Sequence, residues 1–170
     1  QYFTRQMNLE AVDRLMLENQ LRYALERQEF HLVYQPLVEV VTGAVIGVEV
    51  LLRWLNPSLG LVAPDVFVPL AEETGLIVPI GDWVLFQACH TFVAWQAALP
   101  GLRHLAVNVS ARQFRGGQVL ASVERALTAS GLAPESLELE ITERLLLGHA
   151  ADTRELLNRL DARGVRLSID

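Results

Sequence analysis

Polar side chains recur inside the strand-like segments of this chain at nearly constant intervals, and that recurrence restricts the fold more than any other feature. Asn108 stands in Ala106-Val-Asn-Val109, Glu140 in Leu137-Glu-Leu-Glu-Ile141, and Asp170 follows Arg166-Leu-Ser-Ile169. The intervals are 32 and 30 residues, the length of one strand-helix repeat. Strands are expected at 104–109, 136–141 and 165–170. Helices are expected at 118–130, stopped by Gly131, and at 151–163, stopped by Gly164. Short strands alternating with helices predict right-handed βαβ units and a parallel sheet.

Upstream the pattern is less regular. Leu9, Val12, Leu15, Met16 and Leu25 recur at helical spacing among Glu10, Asp13, Arg14 and Glu18, which predicts an amphipathic helix over 8–28. Residues 30–34 read as a short strand closed by Gln35-Pro36. After a Thr42-Gly43 turn, residues 44–53 read as a second strand, hairpin-paired with the first. Asn56-Pro57 and Gly60 mark 54–63 as a loop. Pro64-Asp65 starts a helix that Gly75 stops, and Pro79-Ile80 starts a long one. The first helix lies outside the alternation. Residues 1–29 are therefore expected to be a connector helix, and 30–170 a single α/β domain.

Composition narrows the partners. The chain is 51% apolar, which excludes disorder. Its 20 acidic residues outnumber 14 basic ones, a balance that disfavours duplex nucleic acid. Every basic residue is Arg, so lysine Schiff-base chemistry and the Lys-dependent phosphate loop are excluded within these residues. One cysteine, Cys89, makes no intramolecular disulfide and fits a cytoplasmic setting. Residues 83–102 carry no formal charge, a run long enough for a bilayer. Gln87, His90, Thr91 and Gln96 interrupt it and Pro100-Gly101 ends it, so the core helix of a soluble domain is expected rather than a membrane span.

The acids and the amide carry the chemical reading. Strands of a parallel sheet are usually apolar throughout, because both faces are covered. Glu49, within Val48-Glu-Val-Leu-Leu52, breaks that rule together with Asn108, Glu140 and Asp170. Equivalent positions near the C-terminal ends of parallel strands converge on one mouth of the sheet, where βα folds place active sites. Three carboxylates and an amide offer only oxygen donors, the set preferred by a hard divalent cation such as Mg²⁺ or Mn²⁺. The alternative is that each acid pairs with an Arg or caps a helix. Glu138 is assigned to such a structural role, with Arg166 or Arg112 as its partner. Arg53 suits a phosphate, or an ion pair with Glu49. Gln35 can read a base edge or satisfy a backbone group. Glu143 can anchor the loop after its strand or cap the helix beyond. No nucleophile elbow, phosphate loop or dinucleotide glycine fingerprint is present.

Six segments in order resemble the EAL-domain family, phosphodiesterases that hydrolyse the bacterial second messenger cyclic di-GMP. They are Val33-Tyr-Gln-Pro36, Gly47-Val-Glu-Val-Leu-Leu-Arg-Trp54, Phe67-Val-Pro-Leu-Ala-Glu-Glu-Thr-Gly-Leu-Ile77, Val107-Asn-Val-Ser-Ala-Arg-Gln-Phe114, Glu138-Leu-Glu-Ile-Thr-Glu143 and Leu167-Ser-Ile-Asp170. The naming motif reads Glu-Val-Leu here, with Val50 in place of Ala. The resemblance implies a TIM-like (β/α) barrel with one antiparallel strand, incomplete at the C-terminus in this chain. It implies metal ligation by Glu49, Asn108, Glu140 and Asp170, substrate contacts from Gln35, Leu51 and Arg53, and loop anchoring by Glu143. Glu49, Glu140 and Asp170 are then the catalytic acids of a two-metal hydrolysis with Mg²⁺ or Mn²⁺, which opens cyclic di-GMP to the linear dinucleotide. It further implies a homodimer, and a sensory or GGDEF domain N-terminal to it in a cytoplasmic or membrane-tethered parent protein.

Two other readings remain. A degenerate, non-catalytic cyclic di-GMP receptor would keep the fold without the chemistry, and a structural or dimerisation module would rest on the apolar stretch Phe67–Ile80. In the family, a second Asp, a Lys, a Glu and a Gln follow the position of Asp170. Residues 1–170 by themselves are therefore expected to leave cyclic di-GMP intact in the presence of Mg²⁺, as chromatography of the reaction products would reveal; release of the linear dinucleotide would refute this.

Overall fold

Alternation of strand and helix is borne out over most of the chain. The computed structural model describes residues 5–143 and 150–169. Helix α1 (Arg5–Ala24) precedes strands β1 (Phe30–Val38), β2 (Val45–Asn56) and β3 (Gly60–Val62). Helices α2 (Pro64–Thr74) and α3 (Ile77–Ala98) lead into β4 (His104–Val109), the single turn α4 (Ala111–Phe114) and α5 (Gln118–Ser130). Strand β5 (Leu137–Ile141), helix α6 (Ala150–Asp161) and strand β6 (Arg166–Ile169) complete the described elements. The sheet order is β1-β2-β4-β5-β6, with β3 paired to β2. Pairs β2–β4, β4–β5 and β5–β6 are parallel. Only the short segment 39–44 joins β1 to its neighbour β2. A parallel crossover needs a dozen or more residues, so β1 is the antiparallel member of a hairpin.

Three local expectations are corrected. Gln35-Pro36 does not close β1, which continues to Val38. Among the described strands β1 lies at the edge of the sheet, where a proline is tolerated within a strand. Residues 54–63 are not a loop. Strand β2 runs to Asn56 and turns back as β3, pairing Trp54 with Val62 and Asn56 with Gly60. Asn56 Oδ1 closes that turn by accepting from the N–H groups of Ser58 and Leu59, both at 2.9 Å, and Gly60 takes φ +72°. Helix α3 starts at Ile77, before Pro79, since a proline in the first turn removes only an N–H that has no partner within the helix.

The chain divides into two compact units. One contains the described residues up to His31 together with Leu52–Ile77. Its centre is aromatic: Phe30, Trp54 and Phe67 are buried, with ring centroids 5.7–6.1 Å apart. The other unit contains Leu32–Leu51 and the described residues from Val78 onward. There Val48, Val50, Leu105, Val107, Val109, Leu137, Leu139 and Ile141 are buried on one face of the parallel strands. Helix α3 is long and apolar enough to cross a membrane by length and composition. It buries Val84, Leu85, Ala88, Cys89 and Phe92 and exposes Gln87 and His90. Trp95 of the same helix meets Tyr34 of β1 edge-on at 4.6 Å. Asp82 accepts from Ser122 Oγ and Arg125 Nη2 of α5, at 2.5 and 3.0 Å.

At Gly47 strand β2 comes very near strand β4. It pairs with His104, and a Cβ at Gly47 would lie 2.6 Å from His104 Cβ and still nearer its carbonyl oxygen. The backbone there has little freedom to give way. Gly47→Ala is expected to destabilise the protein by about 1–3 kcal/mol, measured by chemical denaturation with circular dichroism.

Candidate functional site

Side chains alternate across a strand, and residues in register on neighbouring strands share a face. Glu49 pairs with Ala106, two positions before Asn108; Asn108 pairs with Glu140; Glu140 pairs with Ser168. Glu49, Asn108 and Glu140 therefore stand on one face of three adjacent strands, opposite the buried valines and leucines. Asn108 Nδ2 donates to Glu49 Oε1 at 2.9 Å. Glu49 and Glu140 are half-buried and Asn108 is exposed. Among the described residues, no three His, Cys, Asp or Glu side chains gather into a metal-binding group. What the strands bring together is a pair of carboxylates flanking an amide. Oxygen donors on a half-exposed face would suit a hard divalent cation. Asp170, the fourth predicted ligand, lies outside the described residues.

The chain immediately after Asn108 is locked in place. Ser110 caps α4, its Oγ accepting from Arg112 N at 3.2 Å, while Gln113 Oε1 accepts from Ser110 N at 3.0 Å. This reciprocal pair is a capping box, which satisfies two backbone donors at the helix start. Gln113 is buried, and Gly81 of α3 makes room for its amide: a Cβ there would come within 2.7 Å of Gln113 Cδ.

The other predicted residues are more dispersed. Leu51, two positions after Glu49 on β2, is half-buried. Gln35 is exposed on β1, inside a strand rather than at its end. Arg53 is half-buried and donates to Leu52 O at 2.9 Å. Glu143 is exposed just beyond β5. Glu138 pairs in register with Arg166, one of its two expected partners, yet the guanidinium makes a different hydrogen bond, to His104 Nδ1 at 2.8 Å. Arg is always a donor, so His104 accepts at Nδ1 and carries its proton on Nε2. Burial, Arg166 and Arg103 hold its pKa below the ordinary value against the opposing effect of Glu138. The sequence reading missed this His–Arg pair, because its signal is a cross-strand register that becomes visible only once β4, β5 and β6 are aligned. Burial pushes the Cys89 thiol up to about 12, which removes it as a nucleophile. A groove of about 790 Å³ lies within the first unit, bordered by residues including Gln20, Leu61, Val66 and Leu70. It contains none of the predicted site residues.

A mostly parallel α/β sheet with acid, amide and acid on successive strands defines the class, an α/β domain with an oxygen-donor cluster on one face of its strands. The EAL-domain family model matches residues 18–170, and the chain belongs to that family. Among curated relatives, the bifunctional diguanylate cyclase/cyclic di-GMP phosphodiesterase MucR of Pseudomonas aeruginosa is 44% identical over 169 residues, covering 99% of this chain and 25% of MucR. The cyclic di-GMP phosphodiesterase NbdA of the same organism is 39% identical, covering 100% and 22%. A solved structure of the PaMucR phosphodiesterase, a c-di-GMP complex, superposes with a TM-score of 0.86 at 45% identity, covering 91% of this chain and 63% of that one. The chain thus spans about a quarter of the length of these curated relatives. The fold class expected from the sequence, α/β and TIM-barrel-like, is the one these EAL structures share.

The histidine yields a pH signature. A lowered folded-state pKa means that the unfolded chain binds the His104 proton more readily, so stability rises with pH across the window between the two values. The contribution is fully present above the unfolded value of about 6.5 and is lost as pH falls through the lower folded value. NMR titration of His104 is expected to give a midpoint below that of an unstructured histidine, and His104→Gln to flatten the acid limb of a stability–pH profile.

Proposed function

We propose that the protein carrying this chain hydrolyses cyclic di-GMP to the linear dinucleotide in bacterial second-messenger signalling, with Glu49, Asn108, Glu140 and Asp170 as ligands of divalent cations. The observation that carries this reading is the unbroken line of Glu49, Asn108 and Glu140 across three strands in register. Family membership and relatives named as cyclic di-GMP phosphodiesterases support it.

Glu49, Asn108, Glu140 and Asp170 would hold Mg²⁺ or Mn²⁺, which would supply activation of a water and charge neutralisation at the phosphoryl oxygens. The chain's own residues prepare the site. The Asn108 amide fixes the orientation of the Glu49 carboxylate through Nδ2, so that Oδ1 is the amide atom available to a cation. The capping box at Ser110 holds the backbone on which Asn108 sits. The guanidinium of Arg53 is assigned to a substrate phosphate, the Gln35 amide to a guanine edge, and Leu51 to the apolar wall beside the base. Glu143 anchors the loop after β5. A net charge of −6 does not oppose binding of a dianion, because bound cations would dominate the local field. In the same reading residues 1–29 connect this domain to an N-terminal partner domain, and the protein acts as a homodimer.

The test is hydrolysis by the native protein. Mutation of groups that merely orient a metal ligand commonly costs 10–100-fold, so replacing a ligand is expected to cost roughly 100-fold or more. Glu49→Gln and Glu140→Gln should each lower kcat by at least that amount with Mg²⁺ or Mn²⁺, and EDTA should abolish turnover. Cyclic di-GMP binding without metal-dependent hydrolysis in the unmutated protein would instead establish a receptor.

A further inference from the structure

One buried carboxylate has no part in this mechanism. Glu29, at the threshold of β1, is 6% exposed. Its Oε2 accepts from the indole Nε1–H of Trp54 at 2.8 Å and from Asn56 Nδ2 at 3.2 Å. Its backbone carbonyl accepts from Leu55 N at 2.9 Å. Three consecutive residues at the end of β2 are therefore held by one residue. Among the described residues, Oε1 has no hydrogen-bond partner; the guanidinium of the largely exposed Arg27 stands 4.0 Å away. Burying a carboxylate oxygen in this way carries a desolvation penalty that aromatic packing alone would not require.

Resting on the substrate role of Arg53 assigned above, we propose that Glu29 is the positioning residue for that arginine. Arg53 immediately precedes Trp54, and successive side chains on a strand point to opposite faces. Trp54 and Asn56 are buried on one face, and Glu29 binds both there. With those two side chains fixed, the pleat of β2 is fixed, and the Arg53 side chain is committed to the other face. Trp54 cannot rotate away without losing the only hydrogen bond its indole can donate. Its ring is wedged against Phe30 and Phe67 at 6.1 and 5.7 Å. Glu29 thus acts through the backbone on a side chain it does not touch.

The experiment is calorimetric titration of the native protein with cyclic di-GMP in Ca²⁺. Arg53→Ala is expected to weaken binding about tenfold, the loss of one charge-assisted contact. Glu29→Ala should weaken it by a similar factor, and the double variant should bind no more weakly than Arg53→Ala alone, since residues acting as one unit are non-additive. Trp54→Phe, which keeps a ring in the cluster and removes only the N–H donor, should shift affinity in the same direction. Glu29→Gln, which retains an oxygen for both donors, should bind close to the parent protein. A purely structural role lowers the thermal midpoint of Glu29→Ala without this coupling. The proposal is overturned if Trp54→Phe binds like the parent, or if the Glu29→Ala and Arg53→Ala factors multiply. If Arg53→Ala itself binds like the parent, the substrate role of Arg53 falls, and the proposal with it.

Discussion

The two-residue alternation of β2, β4 and β5 is the constraint from which the second unit follows. Val48, Val50, Leu105, Val107, Leu137 and Leu139 are buried on one side, and the carboxylates and the amide occupy the other. Burying a valine or leucine side chain stabilises a fold by about 1.5–3 kcal/mol, so this layer fixes the register of all three strands. A one-residue slip would exchange the faces. It would drive Glu49 and Glu140 into the apolar layer and bring the leucines out. Stability and site geometry therefore depend on the same register.

Given that register, the strand ends still need to be held. Gly47 allows β2 to approach β4 at His104 more closely than any residue with a Cβ permits. The Ser110–Gln113 capping box ends β4 just after Asn108, and Gly81 accommodates the buried Gln113 amide. The polar face is not left as an uncompensated cluster of charge. Asn108 donates to Glu49, and Arg166, opposite Glu138, directs its guanidinium to a neutral His104. Each of these groups has a polar neighbour on the same face, which is the condition for keeping acids on a sheet at all.

The first unit uses a different device. Its aromatic trio supplies apolar area, and Glu29 supplies direction, with one carboxylate oxygen taking two side-chain donors and the backbone carbonyl taking a third. Hydrophobic burial is non-directional, so a ring cluster alone would leave the end of β2 several ways to settle. The hydrogen bonds select one. In the proposed function that selection concerns Arg53, a residue whose planar fork is useful only when aimed.

Much of this was legible in the residues. The spacing of Asn108, Glu140 and Asp170 identified the parallel repeats, and β4 and α5 have the bounds that pattern indicates. Local chemistry sufficed there because periodicity and glycine stops act within a few residues. The β2–β3 hairpin escaped notice, because Asn56-Pro57 and Gly60 mark a loop and a tight turn equally well until the pairing of Trp54 with Val62 is known. The sequence by itself determined where the parallel strands β4, β5 and β6 lie, which face of them is apolar, and that acids and an amide recur at one position per repeat. Only the tertiary structure decided that Asn108 bonds to Glu49, that Arg166 turns to His104 rather than Glu138, and that Glu29 reaches Trp54 and Asn56. Those choices join residues 25 to 62 positions apart, and such partnerships follow from strand register and burial, which no local pattern encodes.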